Sequence, residues 1–384
     1  MGRLFNQTVS AIATLAGTII GVGLFALPYA ASKAGLWIMI FYFIILSIVV
    51  IFTHLMFGEV ILRTKDICRL PGYVNKYLGS GAKIIAFFVA ILGISGALLA
   101  YLIVGGGFLF SLFGPYFGGA NFVYVLAFFL FGALLIYTGI KDISKTEFFL
   151  LACFFIVLMA IFFKGFSLIN MKYLFNFDNY NIKNFFFPYG PILFSLSGLS
   201  LVPEIREMLT ENPKNLKKVI IISILIASLT YLFFIFLILG LTGPQTSVEA
   251  ISGLKNIFGD GLVILAFALG VLTTFTSFIA LGLTLKKIFW YDMHIRKNVS
   301  WALACFIPFA LYTFGLKDFI AVISLTGAIA LGASAILVAF IYLKAKNKGD
   351  KIPAYNLCLP SFFVYLIAFM FFLGIIYQIW YFVV

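Results

Sequence analysis

The run Gly17-Thr18-Ile19-Ile20-Gly21-Val22-Gly23-Leu24-Phe25-Ala26-Leu27-Pro28 decides how this chain folds. It lies inside an apolar stretch long enough to cross a bilayer, yet it holds three glycines in seven residues. Glycine costs a helix interior about 1 kcal/mol relative to alanine and permits backbone conformations that other residues resist. A segment serving only as an anchor gains nothing from this. Irregular backbone survives at membrane depth only where protein buries it or where it lines a watery cavity. Two readings follow. Either the segment is a pair of half-helices whose unwound middle binds something, or its small residues let neighbouring helices pack tightly.

Composition sets the class. The chain has 384 residues, 64% hydrophobic, 18% aromatic and 10% charged, whereas a soluble domain is about 45–50% apolar and about 25% charged. This is an all-α polytopic membrane protein. Its net charge of +13 resides in short loops between apolar spans, so it is no nucleic-acid footprint. Cys68, Cys153, Cys305 and Cys358 are scattered, and His54 and His294 are the only histidines. No cofactor and no metal cluster built on them is expected. The first span is too long and too glycine-broken for a signal peptide.

A span needs about 20 apolar residues. That rule gives eleven: 8–31, 36–62, 83–112, 120–140, 146–163, 186–208, 216–241, 257–285, 298–315, 317–342 and 357–382. No soluble domain is left over. Counted on alternate sides, one side carries 20 Lys and Arg and the other 6, which places the amino terminus in the cytoplasm and the carboxyl terminus outside.

The sixth span has its own interruption, Pro188-Tyr189-Gly190-Pro191-Ile192-Leu193-Phe194-Ser195-Leu196-Ser197-Gly198-Leu199-Ser200-Leu201-Val202-Pro203-Glu204. Gly23 precedes Pro28 by five positions, and Gly198 precedes Pro203 by the same five. The first span enters from the cytoplasm and the sixth from outside. The expectation is therefore a 5+5 inverted repeat: 1–163, a connection at 164–185, 186–342, and a loop with an eleventh helix at 343–384. Interrupted segments at matching places in two halves point to a transporter's binding site.

The 17–28 run resembles the first helix of the amino acid–polyamine–organocation superfamily, closest to its amino acid/auxin permease and aromatic amino acid permease branches. Val202-Pro203-Glu204 and Gly243-Pro244 are similar to the same branches. The resemblance covers essentially the whole chain. It implies the LeuT-type fold with discontinuous helices 1 and 6, alternating access, and secondary amino acid transport driven by sodium or protons.

A zwitterion needs partners for both ends. Unwound backbone at Gly21, Val22 and Gly23 would offer N–H groups at a positive helix end, which suits a carboxylate. Carbonyls near Thr18, Ile19, Phe194 and Ser195 would accept from the ammonium. Ser195, Ser197 and Gly198 belong either to the site or to local hydrogen bonding within the helix. Tyr101, in the middle of the third span, needs a partner for its hydroxyl. In the resembling fold a tyrosine of this helix meets the substrate carboxylate. Sodium-coupled members hold an ion between the first break and a Thr-Ser pair of helix 8. Carried over, the ligands are the Gly17, Ile20 and Thr273 carbonyls and the Thr276 and Ser277 hydroxyls; the other reading has these hydroxyls bond back to the preceding turn. Some proton-coupled relatives put a lysine of helix 5 in that place, and 146–163 contains none.

Ionisable residues within spans are functional candidates. Glu59 beside Arg63 and Glu204 beside Arg206 read as gates or structural ion pairs. His54 either titrates near neutral pH, keeping proton coupling open, or packs as a satisfied histidine. A channel would need a continuous polar lining, and an enzyme would need a catalytic set. Neither is present. A non-transporting amino acid sensor on this scaffold is the other alternative. No fixed charge faces the expected pocket, which favours neutral substrates, and the branch resembled points to aromatic ones. The partners expected are therefore an amino acid and the lipid bilayer, with no nucleic acid and no obligate protein.

Overall fold

The computed structural model describes residues 7–139, 143–175 and 184–383, with side chains for all of these except 143–148, 260 and 383. Every described regular element is a helix. The first expected span is two helices, α1 (Gln7–Ile19) and α2 (Gly23–Ala34), whose axes bend by 49° across the break. Gly35, at φ +92°, turns the chain into α3 (Leu36–Arg63). A short helix, α4 (Leu70–Leu78), with Pro71 in its first turn, occupies what the sequence reads as a loop. The third to fifth spans are α5 (Ser80–Phe117), α6 (Asn121–Thr138) and α7 (Ile143–Gly165). The 164–185 connection contains α8 (Met171–Phe175), and its residues 176–183 lie outside the described set.

The sixth span is broken as well. It consists of α9 (Tyr189–Leu196), a single tight turn at Leu199–Leu201, and α10 (Val202–Met208). Pro203 stands in the first turn of α10, where its missing N–H costs nothing. Then follow α11 (Asn215–Thr242), the short α12 (Lys255–Phe258), α13 (Asp260–Lys287) and α14 (Lys297–Thr313). The tenth span is α15 (Phe319–Leu325) joined to α16 (Gly332–Lys348) through a π-helical turn at Thr326–Leu331. The eleventh is α17 (Ser361–Val383).

Among the described residues eight single helices are long and apolar enough to cross a membrane, nine with the bent first pair. The remaining two of the eleven expected spans are the sixth, in pieces of 8 and 7 residues, and α14 at 17 residues. The faces fit hydrocarbon. On α17, Phe362, Leu366, Phe369, Leu373, Ile376 and Trp380 share one stripe and are between 49% and 78% exposed. A continuous apolar stripe of that size suits lipid and not water. Inside the bundle, α1 packs on α11 and α7, α5 packs on α13, and α9 packs on the π-turn of the tenth span. The two breaks thus meet at mid-bundle.

Candidate functional site: a cavity between two broken helices

Small residues let the breaks approach each other. A methyl group added at Gly23 would come within 2.8 Å of the Ser195 Cα, and one at Gly21 would run into the Tyr101 hydroxyl. Gly198 lies under the Ile19 and Leu15 side chains, 2.9 Å from where its Cβ would stand. Beside this junction is a cavity of about 80 Å3, several times the 10–15 Å3 or so that one water needs. Its walls include Thr18, Ile19, Gly21, Val22, Gly23, Tyr101, Phe194, Ser195, Ser197 and Gly198. The structure therefore brings all ten residues expected at the substrate onto one surface.

Three local hydrogen bonds shape the breaks. The Gly21 amide turns back to the Ile19 carbonyl at 2.7 Å. The Ser195 hydroxyl donates to the Pro191 carbonyl at 2.7 Å, and Thr18 donates to the Thr14 carbonyl at 2.9 Å, both within their own helices. The carbonyls at the breaks are engaged by a residue the sequence reading passed over. The Tyr231 hydroxyl of α11 contacts the Ile19 carbonyl and lies 2.8 Å from the Ser195 carbonyl. Its signal was the one used for Tyr101, a phenol inside an apolar span that must find a partner.

The remaining wall is mostly apolar, with Ser200, Thr284 and Ser334 among its residues. Val89, Gly93 and Ala97 follow one another at four-residue spacing on α5 and lead up to Tyr101, so a single stripe faces the cavity. Leu281, Ile288 and Leu331 stand among the other lining residues. One charged side chain, Arg69 at the start of α4, reaches the lysine-rich end. There its Nε is 2.9 Å from Glu204, its Nη1 is 3.2 Å from Glu207, and Lys287 stands 4.0 Å from Glu204. Burial works against the Arg69 charge, but Glu204 and Glu207 outweigh it and hold the pKa above its ordinary value. Arg69, and not the expected Arg206, is the partner of Glu204. Arg206 instead caps the Leu209 carbonyl at 3.2 Å.

Beyond Gly23, α2 carries Phe25 into an aromatic cluster. Phe25 meets Phe108 edge-on at 4.9 Å, and Phe108 is 5.4 Å from Phe267. A separate vestibule of about 500 Å3 has a wall that includes Phe108, Glu249, Lys317 and Asp318. The two cavities share no wall residue.

Glu59 stands away from the cavity. It is fully buried, paired with Arg63 at 2.8 Å as expected, and its second oxygen accepts the Leu357 amide at 2.8 Å. Tyr355 donates to the Leu55 carbonyl at 2.7 Å, and the Asp350 amide donates to the Arg63 carbonyl at 2.8 Å. These contacts fasten the 349–360 loop to the end of α3, which fits the structural ion-pair reading of Glu59.

The residues named for sodium also converge. Gly17, Ile20, Thr273 and Thr276 border a small cavity of about 10 Å3 beside Leu150, Leu151 and Phe154 of α7. The Thr276 hydroxyl donates to the Thr273 carbonyl at 3.1 Å. Ser277 is buried but is not on that wall. No group of three or more His, Cys, Asp or Glu able to hold a metal occurs among the described residues.

Comparison with known proteins agrees with this geometry. The family model described as the tryptophan/tyrosine permease family matches residues 5–380. "Tyrosine-specific transport system 1" of Haemophilus influenzae is 26% identical over 380 residues, covering 91% of this chain and 90% of its own length. "Glutamine transporter 2" of Aliivibrio fischeri is 22% identical, covering 82% and 83%. The crystal structure of MhsT in complex with L-phenylalanine superposes with a TM-score of 0.71 over 97% of both chains at 14% identity, a likeness of fold. MhsT has the LeuT-type fold, and the all-helical chain with its two broken spans shares it. The chain is an integral membrane amino acid transporter, not an enzyme, and it belongs to the tryptophan/tyrosine permease family.

Proposed function

We propose that this transporter imports neutral, aromatic L-amino acids across the cytoplasmic membrane by alternating access, coupled to sodium. The observation that carries the reading is the single cavity where both broken helices meet, with backbone at one side and a mostly apolar wall at the other. Peptide groups at the breaks suit the two charges of an amino acid. The stripe through Gly93 and Ala97 leaves room for a large apolar side chain, and no ionised group faces mid-cavity to pair with a charged one. The tyrosine-specific relative supports the aromatic choice.

Sodium coupling rests on the small cavity bounded by Gly17, Ile20, Thr273 and Thr276. It is close to the size of one water, and hydroxyl and carbonyl oxygens are hard ligands of the kind this ion prefers. The 20-to-6 distribution of Lys and Arg orients the chain with its amino terminus inside, which makes Arg69–Glu204 a cytoplasmic gate.

Counterflow of radiolabelled L-tyrosine in proteoliposomes tests transport, and imposed sodium or proton gradients test coupling. Uptake that follows the proton gradient and ignores sodium would replace sodium by protons. Binding without counterflow would make the protein a sensor. Thr276→Ala with Ser277→Ala is expected to abolish sodium stimulation, and an unchanged sodium dependence would remove the ion-site assignment.

A further inference from the structure

The break in the sixth span leaves backbone groups that no helix satisfies, and two side chains from outside the cavity take them. His54 of α3 is buried, with both ring nitrogens bonded. Its Nδ1 lies 2.8 Å from the Val50 carbonyl, and its Nε2 lies 3.1 Å from the Gly198 amide. A carbonyl only accepts and an amide only donates, so the imidazole is neutral with its proton on Nδ1. Gly198 is in neither helical piece of the span, so its N–H has no helical acceptor. Tyr231 of α11 meets the Ser195 carbonyl at 2.8 Å and reaches across to the Ile19 carbonyl of the other break. A phenol has one proton to donate, so two carbonyls converge on a single donor; Ile19 also takes the Gly21 amide, and the Ser195 carbonyl keeps a lone pair for the substrate ammonium.

The placement follows the repeat. His54 belongs to the span after the first broken one and serves the second break, while Tyr231 belongs to the span after the second broken one and serves both. In the register that equates Gly23 with Gly198, the counterpart of His54 is Leu229, about half a helical turn from Tyr231. Neither His54 nor Tyr231 lines the cavity.

We propose that His54 and Tyr231 are positioning residues that clamp the sixth-span break in its unwound shape and thereby set substrate affinity. The inference rests on the transport reading above for its consequence but not for the clamp itself. Without the His54 acceptor, the Gly198 amide turns to whatever carbonyl its own segment offers. The Phe194 and Ser195 carbonyls then leave the cavity wall.

Two measurements on the full chain test this: hydrogen exchange by mass spectrometry over 189–208 in detergent, and KM and Vmax for L-tyrosine in proteoliposomes. His54→Leu and Tyr231→Phe are expected to speed exchange across 194–201 about tenfold, with a peptide from α17 unchanged as control. The same variants should raise KM at least fivefold with Vmax within twofold. His54→Gln, which keeps an acceptor, should restore most of both. Unaltered exchange in His54→Leu and Tyr231→Phe overturns the clamp whatever the substrate is. Faster exchange with unchanged KM overturns the positioning role, as does a fall in Vmax and thermal stability alone. If the unsubstituted protein takes up no L-tyrosine while the exchange result holds, the substrate reading fails and the clamp stands.

Discussion

At the scale of single residues, the glycines at the breaks are contact surfaces. A methyl group at Gly23 meets the backbone of Ser195, which cannot swing aside, whereas one at Gly21 meets the far end of a tyrosine side chain. Overpacking of this kind costs about 1–3 kcal/mol, or roughly fivefold to 150-fold in a population. Gly23→Ala should therefore lower L-tyrosine uptake more than Gly21→Ala at equal membrane levels, and equal rates for the two would contradict the geometry. These glycines were legible because three of them in one apolar span conflict with helix propensity. Tyr231 and His54 were not. Their roles depend on which backbone group faces them across bonds spanning 212 and 144 residues, and neither hydropathy nor spacing encodes that pairing.

At the scale of elements, the lysine-rich end of the cavity is shut by a contact between the start of α4 and α10. Arg69 and Glu204 are both largely buried, with side chains 9% and 17% exposed, so each is poorly solvated without the other. Glu204→Gln should leave counterflow measurable and reduce concentrative uptake at least tenfold, because the inner closure loses its anion. Reversing the pair, Arg69→Glu with Glu204→Arg, should recover part of that loss; no recovery would mean that the pair does not act as a unit. That Glu204 forms an ion pair could be guessed from an acid near a span end. Its partner could not, since α4 is a nine-residue helix in a segment that reads as loop, and Arg206 lay nearer in sequence. The breaks themselves were readable as elements because each pairs a glycine with a proline five residues on.

At the scale of the whole molecule, the eleventh helix is tied in by its leading loop, and Glu59 is the knot. Replacing one member of a buried ion pair costs about 3–5 kcal/mol, at the lower end for Glu59→Gln because the amide oxygen would still accept from the Leu357 N–H. Glu59→Gln should lower the thermal midpoint in detergent while leaving the KM for L-tyrosine as it was. A raised KM with unchanged stability would return Glu59 to the gating role. Orientation has a direct check in the same loop, where Cys358 is exposed. An impermeant maleimide should label Cys358 only after the membrane is opened, and labelling on intact cells would invert the topology. Nine of the eleven expected spans were legible from apolar length among the described residues. The ninth span in order, which forms a helix of 17 residues, shows how closely length alone runs to its limit.

The aromatic cluster and the Arg69–Glu204 pair answer to different physics. The rings of Phe25, Phe108 and Phe267 hold by apolar contact, which weakens on cooling and is indifferent to dilute salt. The pair holds by charge, which counter-ions screen wherever water reaches it. If these two contacts gate the cavity, ionic strength on one face and temperature on both should act as separate handles on which opening the resting population favours.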